Sequence, residues 1–373
     1  MKIHCQFLAV LIVLFSLSCK EPYTPIIDEP EKLMVVDGLL SDESNIITVH
    51  LNYTASFKEA DYLPVIGAIV TVTDDEGRKF DFIERPPGTY KSKAFSYEYG
   101  RSYVLNILTK NNKKYKSSAQ KLYPKAVLEP VTAVVKSKSL QTVDNNIIVT
   151  NTLNGLEFNT MIKKSIENSG YFRFSNIVLV EYIEQNIYTS NPDSLPGFFY
   201  SWKKYYPNET FNLNDTKFSD LSENQHKLAF CPIDTTFYTI IQKAVRDEKE
   251  PMVIKYINTR NLYYFAITVK EHQINEDVHQ YYKEINAQLE AKNRIFDPIS
   301  FQVRGNITCV DDPLQPVLGV FEVSSTSMRT YTFSDFLPDK SVIFGEIDTL
   351  EMNNIPNSGS LYDKYPSFWI YNY

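Results

Sequence analysis

Short apolar runs separated by turn residues dominate the chain between Leu33 and Ala119. In Ala68–Asp74 the side chains alternate with the period of two that is typical of a half-buried strand, and Asp74–Gly77 then supplies turn residues. Seven such runs within about 90 residues predict an immunoglobulin-like or transthyretin-like β-sandwich over residues 33–127. The runs are Leu33–Gly38, Ile46–Leu51, Ala68–Asp74, Lys79–Glu84, Gly88–Ala94, Ser102–Thr109 and Lys113–Ala119.

A second set of apolar runs follows a proline-bounded crossing at Tyr123–Pro130. Gly170–Ile183 predicts a long strand pair or a bent strand, Gly197–Tyr206 predicts an aromatic strand, and Asn258–Arg260 predicts the turn of a hairpin. The pattern therefore predicts a second β-rich domain over residues 128–334, with residues 335–373 as a C-terminal tail.

One segment has the spacing of a helix. From about Glu271 to Lys292, apolar residues recur at steps of three and four, with charged residues between them. We expect one long amphipathic helix at 271–292 within the second domain, so the fold class is mainly β with a single helix. The apolar residues are Ile274, Val278, Tyr281, Tyr282, Ile285 and Leu289.

Composition agrees with β structure and with two domains. The 373 residues include 26 Tyr and 23 Phe, and aromatic residues make up 14% of the chain. The formal net charge is −7, and no basic cluster indicates a nucleic-acid partner.

The first residues have the pattern of an export signal. Lys2 and His4 precede the apolar run Phe7–Leu17, which is too short to cross a bilayer as a helix and has the length of a signal-peptide core. The run passes directly into Ser18-Cys19, which resembles a bacterial lipobox even though Ser16 stands where such boxes prefer Leu. We therefore expect a signal peptide at 1–18, lipidation of Cys19 and a tether at 19–32. The alternative is a leader in which Cys19 is incidental.

Two parts of the chain resemble known families. Pro64–Gly77, Pro87–Tyr90 and Tyr99–Ile107 resemble the pattern of exported carbohydrate-binding and carboxypeptidase-regulatory-like β domains. Arg304–Ser325, taken with the leader and the sandwich, resembles an uncharacterised lipoprotein family of Bacteroidota. That resemblance implies an outer-membrane lipoprotein of the kind often encoded beside TonB-dependent transporters.

Two cysteines remain outside the leader region, Cys231 and Cys309. In an oxidising compartment they could form one disulfide, and they could equally be two buried thiols.

Three groups of residues could hold a metal ion. His272, Glu276 and His279 share one face of the expected helix, but the polar residues that continue this face favour a solvated surface. Asp74–Gly77 and Asp311–Pro313 lack the spacing of a calcium loop, so we interpret them as turns. We expect no metal site and no cofactor.

No motif of a nucleophile, a catalytic metal or a phosphate-binding loop is present, so no catalytic residue is assigned and the chain is not expected to be an enzyme. The best candidates for contact with a ligand or partner are the aromatic residues Tyr200, Trp202, Tyr205 and Tyr206. Because a strand buries one of its faces, the alternative is that they belong to the core.

These observations predict a lipid-anchored outer-membrane protein, exposed on the cell surface, that binds a glycan or another nutrient beside a TonB-dependent transporter. One alternative places it on the periplasmic face. A structural or adhesive envelope module is the alternative function, and a hydrolase would require a concave site with convergent carboxylates in the second domain.

Overall fold

The computed structural model describes residues 32–55, 63–144, 147–163, 165, 168–186, 197–206, 210–216, 223–232, 258–291, 302–333, 342–343, 345–347 and 358–360. This part of the chain is mainly β-structure with one α-helix, which confirms the predicted fold class.

Nine strands precede the crossing segment, and each of the seven predicted apolar runs overlaps one of them. They are β1 (Met34–Ser41), β2 (Thr48–Tyr53), β3 (Leu63–Pro64), β4 (Ile69–Asp74), β5 (Lys79–Glu84), β6 (Thr89–Ser92), β7 (Ser102–Leu108), β8 (Lys114–Ser117) and β9 (Gln120–Lys121).

These strands form two sheets around one core. In the first sheet β2 pairs antiparallel with β1 and β6, and in the second β7 pairs antiparallel with β4 and β8. Strand β5 pairs with β4 through one half and with β6 through the other. Burial alternates along β7, which is the pattern of a strand with one face in the core. Fully buried residues from both sheets include Val36, Leu51, Val72, Tyr103 and Leu105.

The rest of the described chain supplies twelve more strands and the helix. They are β10 (Val131–Asp144), β11 (Ile147–Lys163), β12 (Tyr171–Asn186), β13 (Gly197–Tyr205), β14 (Asn212–Asp215), β15 (Glu223–Pro232), β16 (Asn258–Gln273), α1 (Glu276–Ala291), β17 (Ile307–Cys309), β18 (Leu318–Phe333), β19 (Val342–Ile343), β20 (Gly345–Ile347) and β21 (Ser358–Ser360).

A second core lies between two further groups of strands. In one group β11 lies between β10 and β15, and in the other β12 lies between β13 and β16. Buried side chains from both groups form one cluster, which includes Phe158, Leu228, Phe172, Phe174 and Val269.

Strand β18 belongs to both sandwiches. Residues 318–324 pair parallel with β1, and residues 325–333 pair antiparallel with β16. Gly319 makes the close approach to β1 possible, because its φ is +89° and an added Cβ would lie 1.8 Å from the Val36 carbonyl oxygen. Strand β17 likewise pairs with β8. The first sandwich is therefore completed by residues that the sequence assigned to the second domain.

Two local predictions are wrong. Helix α1 begins at Glu276 and not near 271, because residues 271–273 pair with β12 on one side and with β18 on the other. Asn258–Arg260 is not a hairpin turn, because these residues already pair with β12 as the start of β16. Helix α1 is too short and too polar to cross a membrane, and the described residues contain no other candidate span.

Candidate ligand-binding cavity

A cavity of about 420 Å³ lies beneath the crossing segment that connects the two sandwiches. Residues 124–127 and 129 of that segment form one wall, and the others are formed by the end of β11, residues 165 and 168, the start of β12 and the end of β16. The charged side chains that line it are Lys125, Glu129, Lys163 and Glu271. The cavity is large enough for a small organic molecule.

Glu271 is the most deeply buried of these charged groups. Its residue is only 5% exposed, and burial together with the neighbouring Glu129 carboxylate raises the pKa of its carboxyl to about 8. No other described side chain or backbone group forms a hydrogen bond or ion pair with that carboxyl. Because a buried ionised carboxylate without a partner is costly, Glu271 is a neutral acid near pH 7.

Gln273 lies on the same face of β16, since side chains two residues apart point to the same side of a strand. Its Nε2 donates to the Pro124 carbonyl oxygen at 2.5 Å, and its Oε1 accepts from the Ser169 backbone N–H at 3.1 Å. Gln273 therefore ties the crossing segment to β16 and leaves its neighbour Glu271 to face the cavity.

Two serines of β18 hold the same segment. Ser325 Oγ donates to the Pro124 carbonyl oxygen at 3.3 Å, and Ser327 Oγ donates to the Ala126 carbonyl oxygen. Together with Gln273 they fix the wall of the cavity before any ligand binds, which lowers the entropy lost on binding.

The mouth of the cavity combines apolar and charged groups. Val127 is 78% exposed and Met161 is 38% exposed. Lys163 Nζ lies 2.8 Å from Glu129 Oε1, and Lys125 Nζ lies 3.4 Å from Asp42 Oδ2 of the first sandwich. Both lysines are half exposed and are already paired, so neither neutralises Glu271 in the interior.

A buried ion pair lies on the opposite face of the same sheet. Glu322 Oε1 accepts from Arg173 Nη2 and from Ser324 Oγ, each at 2.8 Å, and Glu322 Oε2 accepts from Tyr282 Oη at 2.6 Å. Burial alone would raise the pKa of Glu322, but Arg173 and Tyr282 hold it well below its usual range, at about 2. These bonds connect β12, β18 and α1, so we assign the network to the fold and not to a ligand.

The His272 side chain lies on the same buried face of the sheet as this ion pair, and not on a solvated helix surface. Its Nε2 lies 2.9 Å from Ser175 Oγ and its Nδ1 lies 3.0 Å from Thr326 Oγ1. Burial and the charge of Arg173 lower the pKa of His272 to about 3, so its ring is neutral.

The predicted solvated face formed by His272, Glu276 and His279 is wrong. His272 is in β16, whereas His279 is in α1, where it is buried with its ring 5.1 Å from that of Tyr171. Within the described ranges, no three His, Cys, Asp or Glu side chains converge as a metal site requires.

The four aromatic candidates differ in their positions in the structure. Tyr200, Trp202 and Tyr205 lie in β13, as predicted for a strand, but the side chains of Tyr200 and Trp202 are outside the described part. Tyr205 is half buried and packs against the second core. Tyr206 follows the strand and is 60% exposed, so a contact role for it stays a prediction.

The two cysteines are buried thiols in different cores. Cys231 belongs to the second core and Cys309 to the first, so the structure contains the thiol alternative and not the candidate disulfide. Cys19 lies outside the described residues.

The acidic turns have structural partners. Asp74 Oδ1 accepts from the backbone N–H groups of Glu76 and Arg78, and Asp312 Oδ1 accepts from that of Leu314. These bonds are those of turns, as predicted from the sequence.

A family model for a domain of unknown function, DUF4249, matches residues 20–330. The chain belongs to this family. The DUF4249 match covers strands β1 to β17, helix α1, β18 up to residue 330 and every residue that lines the cavity. It confirms the resemblance to an uncharacterised family, while the assignment to Bacteroidota lipoproteins stays a prediction. No curated protein and no solved structure gives a significant match.

Proposed function

We propose that this protein binds a small ligand in the cavity beneath the crossing segment and acts as a binding or accessory protein of the cell envelope. The observation that carries the proposal is the Glu271 carboxyl, which is buried against the cavity without a partner among the described residues. A polar group placed in this way is the usual sign of a ligand site, because a ligand can supply the missing contact.

The proposed location is the outer membrane, with lipid attached to Cys19 and the body of the protein on the cell surface. The apolar run Phe7–Leu17 followed by Ser18-Cys19 supports the anchor, and Lys20-Glu21 supports the surface. Such an anchor would hold a cavity-bearing protein beside a membrane transporter. The proposed partner is accordingly a TonB-dependent transporter, with the ligand of the cavity as the nutrient.

The ligand site is tested by purifying the full-length protein from outer membranes and analysing what it releases on denaturation by mass spectrometry. A Val127→Trp variant would block the mouth, and Leu314→Trp is the matched control, since Leu314 is 87% exposed and does not line the cavity. We expect a small molecule from the wild type and from Leu314→Trp, and none from Val127→Trp. Equal recovery from all three, or recovery from none, would contradict the proposal.

The anchor and the partner need separate tests. A Cys19→Ala variant should move from the membrane fraction to the soluble fraction, and retention in membranes would contradict lipidation. Tagged protein should recover a transporter barrel after mild solubilisation, and recovery of the tagged protein alone would remove the transporter from the proposal.

Hydrolysis is the second candidate, and one observation favours it. Glu271 is a carboxylic acid of raised pKa beside the Glu129 carboxylate, which is the pairing that glycoside hydrolases use as acid and base. Glu129 is already paired with Lys163, which favours binding over catalysis. Hydrolysis of aryl glycosides by the wild type, lost in Glu271→Gln, would establish the hydrolase instead.

A further inference from the structure

We infer that the cavity takes a small organic amine, whose ammonium group binds Glu271 while its apolar portion contacts Val127 and Met161. This inference rests on the proposed role of the cavity as a ligand site. It adds two predictions: the chemical class of the ligand, and the release of a proton when the ligand binds.

The charges around the cavity favour a cation in its interior. The other charged groups of the wall are Glu129, Lys163 and Lys125, from the crossing segment and β11, and Lys270 and His272 flank Glu271 on the other face of β16. Lys163 is bound to Glu129, Lys125 to Asp42 and Lys270 to Glu43, and His272 is neutral. An ammonium group would therefore interact with two carboxylates, whereas an anion would be repelled by Glu129.

An organic ammonium fits this site better than a metal ion. A divalent ion requires several oxygen ligands, and no group of three suitable side chains occurs in the described part of the chain. The exposed Val127 and Met161 side chains at the mouth offer apolar contact, which a bare ion would not use. An amine with a short alkyl chain can bind the Glu271 carboxyl through its ammonium group and contact the apolar side chains at the mouth through its alkyl chain.

Binding of such a ligand releases a proton. Before binding, Glu271 carries the proton as a carboxylic acid, and the amine enters as an ammonium ion. The Glu271 O–H bond breaks, the proton leaves to solvent, and the carboxylate forms a charge-assisted hydrogen bond with the ammonium group. With the pKa of Glu271 at about 8, close to one proton is released per ligand at pH 7.

Isothermal titration calorimetry of the full chain, in two buffers of different ionisation enthalpy, measures both affinity and protons released. The probes are n-hexylammonium, hexanol and hexanoate, which share an alkyl chain and differ in charge. At pH 7 we expect hexylammonium to bind at least about tenfold more tightly than hexanol, with close to one proton released. Its affinity should rise as the pH increases from 6 to 8.

Glu271→Gln is the deciding variant because it keeps the size and removes the titration. It should weaken hexylammonium binding at least about tenfold and abolish proton release, without changing hexanol binding. Glu157→Gln, which removes a paired carboxyl outside the cavity, is the matched control and should leave both measurements unchanged. Circular dichroism checks that each variant is folded.

The outcomes show whether the proposed amine class is wrong or the ligand site itself is wrong. The inference that the ligand is an amine would be overturned if Glu271→Gln bound hexylammonium as tightly as the wild type does. It would also be overturned if hexanoate bound most tightly of the three probes. If hexanol or hexanoate then binds and Val127→Trp blocks it, the cavity remains a ligand site and only the amine class is wrong. If none of the three probes binds, the amine is overturned, and the molecule released from native protein decides the proposed function independently.

Discussion

Glu271 and Gln273 lie two residues apart on the same face of β16, yet Gln273 forms two hydrogen bonds and the Glu271 carboxyl forms none with the described residues. The first residue faces a cavity, and the second holds the cavity wall in place. Burial of Glu271 favours the protonated form of its carboxyl over the ionised form. The free energy of unfolding and the affinity for a cationic ligand should therefore both depend on the pH at which this carboxyl titrates.

The stability of the protein should fall as the pH rises through the titration of Glu271. The folded-state pKa, about 8, exceeds the ordinary value of 4.5, so this contribution is fully present below pH 4.5 and is lost as the pH passes 8. We expect Glu271→Gln to flatten this part of the profile, by at most about 1.4 kcal/mol per pH unit. Urea denaturation at pH 5, 7 and 9 measures the difference. If the free energy of unfolding changed with pH in the same way in the variant and the wild type, this prediction would be contradicted.

Glu129→Gln should lower the pH at which Glu271 titrates. The variant removes a negative charge that raises the pKa of Glu271, and it leaves Lys163 without this partner. Carbon-13 NMR of labelled glutamate carboxyls measures the shift, and Glu157→Gln should leave it unchanged. A titration that stays in place would show that Glu129 does not act on Glu271.

Two histidines whose pKa values are lowered in the folded protein should make it sensitive to acid. The folded-state pKa is about 3 for His272 and about 4 for His226, both below the ordinary 6.5. Their contribution to stability is therefore complete above pH 6.5 and is lost as the pH falls towards 3. His272→Gln should lessen the loss of unfolding free energy between pH 6.5 and pH 4. An equally steep loss in the variant would count against a neutral buried His272.

The ion pair between Arg173 and Glu322 should be costly to break from one side. Arg173→Met leaves a buried carboxylate without its cation, and we expect a loss of about 3–5 kcal/mol in the free energy of unfolding. Arg173→Met combined with Glu322→Leu should recover part of that loss, since neither charge of the pair then remains. Chemical denaturation of both variants tests this, and additive losses would contradict the account.

Gly319 should be far more sensitive to substitution than Gly77. Both have a positive φ, but a Cβ at Gly319 would clash with the Val36 carbonyl, whereas nothing lies within 4 Å of one at Gly77. Gly77→Ala should cost about 1–2 kcal/mol from backbone strain alone. Gly319→Ala should cost more and disturb the pairing of β1 with β18, as seen in hydrogen exchange. Equal losses would show that the close approach is unimportant.

The strands and the fold class could be predicted from the sequence because they depend on local periodicity. The alternation in Ala68–Asp74 corresponds to β4, and each of the other early runs overlaps a strand. The start of α1 could not be predicted in the same way, because residues 271–273 are held as strand by pairing with β12 and β18.

The cavity could not be predicted because it depends on contacts between distant parts of the chain. Glu129 and Glu271 are far apart in sequence and meet only after β16 packs beside the crossing segment. In sequence, Glu271 is one charge among several at the start of the predicted helix, so nothing distinguishes it from an exposed residue. The strand-like alternation that ends β16 is the one signal that could have placed Glu271 beside Gln273 on one face.

The most direct test of the central claim is the pKa of the Glu271 carboxyl, measured by carbon-13 NMR in the full chain with and without n-hexylammonium. We predict a value near 8 without the amine. With saturating amine it should fall by more than about two units, because the ammonium group stabilises the carboxylate, and only then is close to one proton released at pH 7. A value near 4.5 in both samples would contradict the burial of a neutral acid in the cavity and the ligand site built on it.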